Sequence, residues 1–385
     1  MTQEHVQRSP GQAAEAIAPR LSVVAWEITR RCNLFCAHCR GSSMDDAYEG
    51  ELTTAECLRL VDQILEVGRP ILILSGGEPL MRHDLFEVAG YAAGRGLRVA
   101  LGTNGTLLTQ EMVQRCKKAP ISRAGISLDF PIPELQDQFR GTAGAFDATM
   151  KGIEECRRAG LDFQINTTVT SLNARYLDDL LSLAVELGAA AFHPFMLVPT
   201  GRGKGLRDAE LPAEEYERVL NWVCDRQMEL GDRIFIRPTD APHYSRIVSQ
   251  RLRSGQAVQV ARQGAQGAVG HPGGMDSFTR GCLAGVGFCF VSHRGRVQGC
   301  GYFDVEAGDI RKNTFAEVWD GSPLFRQLRD LSNLKGKCGV CEYCRMCGGC
   351  RARAYEATGD WLAAEPYCIY EPAAIAAAGG GQTSP

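Results

Sequence analysis

The chain has 385 residues, 44% hydrophobic and 23% charged, which suits a soluble protein with a large core and room for two domains. A formal net charge of -3 gives no sign of the basic face that nucleic-acid binding demands. No uninterrupted apolar run reaches the length of a membrane-spanning helix.

In chain order, residues 1–20 read as a mobile tail. Glu, Gln and Pro there, with no apolar h-region, exclude a signal peptide, so the expected location is the cytoplasm. From Leu21, β-type runs at 22–28, 71–75, 98–102, 123–129, 162–169 and 191–199 alternate with helical patterns at 55–67, 84–95, 111–117, 145–159 and 175–187. That alternation predicts parallel strands with crossover helices, an α/β fold in which six strands form an open, partial (β/α)6 barrel over 21–205. Ligands of such sheets gather at the carboxyl ends of the strands. The first cysteine loop, Gly76-Gly77-Glu78-Pro79, Asn104 and Asp129 all fall at those ends.

After Thr200 the pattern changes. Gly201-Arg202-Gly203-Lys204-Gly205 reads as a flexible basic loop, followed by a helical stretch at 213–230. The Gly/Gln-rich stretch 251–278, with Gly264-Ala265-Gln266-Gly267 and Pro272-Gly273-Gly274, reads as linker, so 206–279 is assigned as a helical and loop bridge. A cysteine-rich domain spans 280–372, and 373–385 reads as a frayed low-complexity tail.

Sixteen cysteines are many for a reducing compartment, where disulfides are rare, and their clustering favours metal ligation. Cys57, Cys116, Cys156 and Cys224 stand singly in helical patterns and read as small buried hydrophobes. Nine others crowd between Cys282 and Cys368. The remaining three, Cys32, Cys36 and Cys39, share one loop with gaps of three and two residues. Three thiolates can hold three irons of a 4Fe-4S cubane and leave the fourth open to a ligand, whereas a zinc knuckle would lack its fourth donor.

This loop, followed by Gly76-Gly77-Glu78-Pro79, resembles the signature of the radical S-adenosylmethionine (SAM) enzymes. The resemblance implies that SAM chelates the open iron and that one electron cleaves it to methionine and a 5′-deoxyadenosyl radical. It also implies that 76–79 bind the SAM amino group and that His38 contacts the adenine. Asn104, Ser127, Asp129 and Asn166, at strand ends, are candidates for ribose or carboxylate.

Cys338, Cys341, Cys344, Cys347 and Cys350, then Cys368, follow an apparent β-hairpin turning at Arg294-Gly295. Together these resemble the SPASM auxiliary-cluster domain. By that resemblance Cys338, Cys341, Cys347 and Cys368 hold one 4Fe-4S cluster, and Cys282, Cys289, Cys300 and Cys350 a second. Two residues separate Cys347 from Cys350 where the family usually has three, and Cys344 is an extra thiol, so one or two auxiliary clusters remain open. A zinc ribbon is the competing structural reading; zinc cannot change redox state.

At finer grain, 25–27, 163–170, 197–203, 241–244 and the stretch from Thr279 to Tyr302 resemble the heme b synthase family of siroheme-dependent heme biosynthesis. The resemblance implies iron-coproporphyrin III as substrate, two propionates becoming vinyl groups, and a reductant protein of the flavodoxin or ferredoxin kind. Didecarboxysiroheme deacetylases and heme d1-type enzymes share the same parts. A SPASM peptide or sulfatase maturase, or a non-enzymatic electron carrier, is the rival from another class. Substrate carboxylates call for Arg forks, for which Arg202, Arg237, Arg246 and Arg280 are candidates, and His243 is a candidate axial ligand to the porphyrin iron.

Overall fold

The computed structural model describes residues 16–230, 233–255 and 280–379. The glycine-rich linker motifs at 264–267 and 272–274, Thr279, and most of the two expected tails lie outside the described residues.

Six parallel strands follow one another with helices between them. They are β1 (Val23–Thr29), β2 (Ile71–Gly76), β3 (Arg98–Thr103), β4 (Ile121–Ser127), β5 (Phe163–Val169) and β6 (Ala191–Met196). The connecting helices are α1 (Thr54–Val67), α2 (Leu85–Gly94), α3 (Gln110–Lys118), α4 (Pro133–Arg140), α5 (Ala145–Ala159) and α6 (Leu177–Glu186). Thr53 starts α1 with a capping box: its hydroxyl accepts from the Glu56 N–H while the Glu56 carboxylate accepts from the Thr53 N–H. The lone cysteines of α1, α3 and α5, and Cys224 of α7 (Ala213–Leu230), are wholly buried in the apolar core, as their spacing predicts.

The partial barrel is part of a larger sheet. Its ten strands run β10-β9-β8-β1-β2-β3-β4-β5-β6-β7, where β7 is Phe235–Ile236, β8 Phe288–Val291, β9 Arg296–Cys300 and β10 Phe303–Asp309. β7 adds a seventh parallel strand beside β6, so the barrel continues into the segment expected to be a bridge. On the other side β8 pairs parallel with β1, Val23 opposite Phe288 and Trp26 opposite Val291. β8 and β9 form the antiparallel hairpin predicted around Arg294-Gly295. The hairpin satisfies a row of β1 backbone groups that an isolated barrel would leave open.

Three expectations of loop or tail are corrected. Residues 201–205 belong to 3-10 turns, Gly201–Ala209, seated on the cysteine loop. A Cβ at Gly201 would stand 2.2 Å from the Arg40 carbonyl oxygen, and its φ of 54° suits glycine. The expected mobile tail is tied down from Ile17, whose N–H donates to the Arg329 carbonyl at 2.9 Å, and Arg20 bonds Val286. At the other end, Ala373–Gly379 is helical where fraying was expected.

Candidate functional site

The cysteine loop leaves β1 at Thr29 and is clasped from both sides. The Thr29 hydroxyl and the Arg30 N–H donate to Glu51 at 2.9 and 2.8 Å. The N–H groups of Gly77 and Glu78 donate to the carbonyls of Thr29 and Arg31, each at 2.8 Å. A Cβ at Gly76 would fall 2.0 Å from the Thr29 oxygen, and one at Gly77 2.2 Å from the Arg31 oxygen. Their lack of side chains therefore lets β2 close on the neighbouring backbone.

Cys32 and Cys36 are buried and Cys39 partly so. Each sulfur has a donor aimed at it: the Leu34 N–H lies 3.5 Å from Cys32, Arg140 Nη1 3.7 Å from Cys36, and the Ser43 N–H 3.3 Å from Cys39. As free thiols, Cys32 is pushed up to about 12 by burial, with Glu78 adding to it, and burial raises Cys36 as well. Burial that disfavours bare thiolates, together with a donor aimed at each sulfur, is a setting that suits ligation to an iron cluster.

Around this loop stand the predicted polar residues. The wholly buried Glu78 carboxylate accepts from the Thr103 hydroxyl at 2.8 Å, the Asn104 N–H at 2.8 Å and the Leu80 N–H at 3.1 Å. Burial nevertheless raises it to about 7. Asn104 Nδ2 donates to Asn33 at 2.9 Å and so ties the end of β3 to the cysteine loop. Asp129 accepts from the Thr168 N–H at 2.7 Å and pairs with Arg140. Ser127 and Asn166 are register partners on β4 and β5, both partly exposed. His38 stacks on Phe139, centroids 4.4 Å apart, and burial draws it down to about 4, so the ring is neutral.

Sequence reasoning missed the residues that brace the loop. Arg140 and Phe139 sit on α4, a helix signalled by Pro133 at its start and by Gly141 in a left-handed cap. Glu27, wholly buried, meets Arg30 Nε at 2.8 Å, Arg40 Nη2 at 2.6 Å and His293 Nδ1 at 2.6 Å. Burial works to raise its pKa, but Arg40, His293 and Arg30 hold it well below the carboxylate range. Arg40 also donates to the Gly301 carbonyl at 3.1 Å and lies over the Phe290 ring. The residue after Cys39 thus joins the loop to the C-terminal hairpin.

In the C-terminal domain, Cys338, Cys341, Cys344, Cys347 and Cys368 line one pocket with His243, Arg246, Lys337 and Glu365. Sulfur-directed donors recur: the Tyr343 N–H to Cys341 at 3.4 Å, the Gly349 N–H to Cys347 at 3.4 Å and the Glu365 N–H to Cys338 at 3.3 Å. The second expected quartet does not assemble as predicted. Cys289 is the register partner of Val24, both in the apolar core, while Phe290 pairs with Gln298. Side chains alternate along a strand, so Cys300, two residues past Gln298, faces away from Cys289. Spacing along the chain does not carry that parity.

The substrate candidates separate too. His243 and Arg246 open α8 (His243–Arg253), where the sequence suggested a loop, and both face the five-thiol pocket. His243 is wholly buried, its Nε2 3.8 Å from Glu365, and burial lowers it to about 4; this is no exposed axial ligand. Arg246 pairs with Glu217 at 2.5 Å. Arg280 donates to the carbonyls of Arg345 and Cys344, and Arg237 follows β7 with its N–H on the Phe192 carbonyl. Arg202 alone of the five stands at the first cysteine loop. Its Nε donates to the Cys36 carbonyl at 2.9 Å, and its guanidinium covers Phe35 at 3.9 Å. Both its terminal nitrogens are buried without a hydrogen-bond partner.

The radical SAM superfamily profile matches residues 26–237, and that of SPASM, an iron-sulfur cluster-binding domain, residues 282–348. The chain is 50% identical to an AdoMet-dependent heme synthase of Methanosarcina barkeri over 92% of this chain and 97% of that one. It is 46% identical to the protein of the same name from Nitratidesulfovibrio vulgaris, over 92% and 94%. The crystal structure of Streptococcus suis SuiB bound to S-adenosylmethionine shares the fold: TM-score 0.69 at 16% identity, over 91% of this chain and 78% of that one. The chain belongs to the radical SAM superfamily and carries a SPASM iron-sulfur domain behind its barrel.

Proposed function

We propose that the protein makes heme b from iron-coproporphyrin III by oxidative decarboxylation of two propionates. Each conversion removes one hydrogen atom from the propionate β-carbon, one molecule of carbon dioxide and one electron, leaving a vinyl group. The observation that carries this reading is identity of about half, across nearly the full length of both chains, with AdoMet-dependent heme synthases.

Cys32, Cys36 and Cys39 would hold the SAM-binding 4Fe-4S cluster, with 76–79, His38, Asn104, Ser127, Asp129 and Asn166 around SAM. Cys338, Cys341, Cys347 and Cys368 would hold an auxiliary cluster, with Cys344 in the same pocket. When bound, these groups supply hydrogen-atom abstraction and take up the electron. A redox-inert zinc ribbon could not accept it.

The chain's own part is to position and to desolvate. Arg202 offers two buried, unpaired N–H arms beside Cys36, a fork matched to one propionate carboxylate. Neutral His38, stacked on Phe139, presents a flat ring for the adenine without adding charge. A cytoplasmic flavodoxin- or ferredoxin-type protein supplies the reducing electron.

Anaerobic incubation with SAM, a reductant and iron-coproporphyrin III, read by product mass, tests the reading. Two successive decarboxylations are expected, each with one 5′-deoxyadenosine. Porphyrin returned unchanged while didecarboxysiroheme is consumed would assign the chain to the deacetylases instead. Arg202→Gln should raise KM for the porphyrin by about ten- to a hundredfold, the worth of a charge-assisted fork.

A further inference from the structure

Asp240 follows β7 at the carboxyl end of the parallel strands and has a φ of 57°; Ser42 is the only other non-glycine residue at positive φ among the described residues. The bend is held by its own carbonyl, which accepts from the Tyr216 hydroxyl at 3.0 Å and from Arg353 Nη2 at 3.2 Å. The carboxylate that this conformation presents is not satisfied: Oδ2 is buried and has no hydrogen-bond partner. A dry, unbonded carboxylate oxygen is costly, and buried charges are normally paired or bound to metal.

Its surroundings name the partner. Asp240 exerts the strongest charge on Cys300 and on Tyr302, and it also acts on Cys350. Cys282 in turn acts on both Cys300 and Cys350. Gly281 packs against the carbonyls of Cys347 and Pro242, which brings the Cys282 segment down beside the 240–242 bend. Cys289, on the opposite face of the hairpin, feels no charge in this group and answers only to Arg329. Among the described residues no three His, Cys, Asp or Glu side chains are placed to hold a single metal ion.

We propose that Asp240 is the fourth ligand of the second auxiliary 4Fe-4S cluster, completing a set with Cys282, Cys300 and Cys350 from which Cys289 is excluded. The inference rests on the SPASM domain holding a second cluster, and on nothing about the porphyrin. An Asp supplied by the barrel would make that cluster a joint between the two parts of the chain. Tyr302 and Arg40, the latter bonded to the Gly301 carbonyl, lie between it and the Cys39 end of the first loop.

The test uses the full chain, reconstituted anaerobically, with iron and sulfide counts, EPR of the reduced clusters and a potentiometric titration. Cys300→Ser should lose one cluster's worth of iron, while Cys289→Ser should keep all its iron and its spectrum. Asp240→Ala should leave the SAM-cluster and five-thiol-pocket signals in place and alter one auxiliary signal. Its midpoint should move upward, because one negative ligand is lost. Asp240→Cys should retain iron with a changed auxiliary spectrum, and it serves if the Ala variant folds poorly. Loss of a cluster in Cys289→Ser, or auxiliary spectra and potentials untouched in both Asp240 variants, would overturn the assignment. So would a native iron count sufficient for only two clusters. None of these readouts needs porphyrin, so failure of the heme reading would leave them unchanged.

Discussion

In the barrel, three thiols come from one short loop, and the strands on either side hold that loop by its backbone. In the C-terminal domain the thiols of one pocket are gathered from residues 338 to 368, and those of the other group from 282, 300 and 350. The first arrangement is local, so the gaps between cysteines specify it. The second is assembled by sheet parity and by helices brought from elsewhere, and gaps along the chain say little about it. Yet both regions use the same local chemistry, backbone N–H groups and arginines aimed at sulfur.

The sharpest way to break that comparison is to remove one thiol from each region. Cys36→Ala should abolish 5′-deoxyadenosine formation, whereas Cys341→Ala should leave SAM cleavage largely intact and stop vinyl formation; chromatography of both products reads the pair. Normal heme yield from the second variant would remove the electron-accepting role from the C-terminal pocket. Next in size, Gly77→Ala drives a Cβ toward the Arg31 carbonyl and should cost about 3 kcal/mol, with loss of iron from the barrel cluster ahead of the auxiliary ones.

A comparable effect is expected from pH. Glu78 is raised from 4.5 to about 7 by burial, so the fold favours its protonated form. The associated penalty is absent below 4.5, grows as pH rises, and is complete above about 7, amounting to about 3 kcal/mol. Thermal melts of the cluster-free protein should therefore fall across that window, and Glu78→Gln should flatten this part of the profile. The smallest effect belongs to the scattered thiols. Cys156→Ala should cost about 1 kcal/mol in urea unfolding and leave the iron count unchanged.

Much of this was legible beforehand. The six strands and their helices follow from hydrophobic period and turn residues, and the observed bounds differ by a few residues. The grouping of Cys32, Cys36 and Cys39 with Glu78 and Asn104 was visible because strand ends and loop spacing place them together. What escaped is non-local. Glu27 reads as one acid among many until β8 brings His293 beside it. Cys289 and Cys300 look like equivalent ligands until the register puts them on opposite faces. Asp240 has no motif, and only the bend, the buried oxygen and its neighbours single it out.

The pairing of β8 with β1 has a consequence for biosynthesis. The strand that launches the first cysteine loop gains its outer neighbour only after residue 291 has left the ribosome. Until then the loop also lacks His293 and the Gly301 carbonyl, which steady Glu27 and Arg40. The loop therefore reaches its full set of contacts only once the hairpin has been synthesised, although its three thiols are the first in the chain.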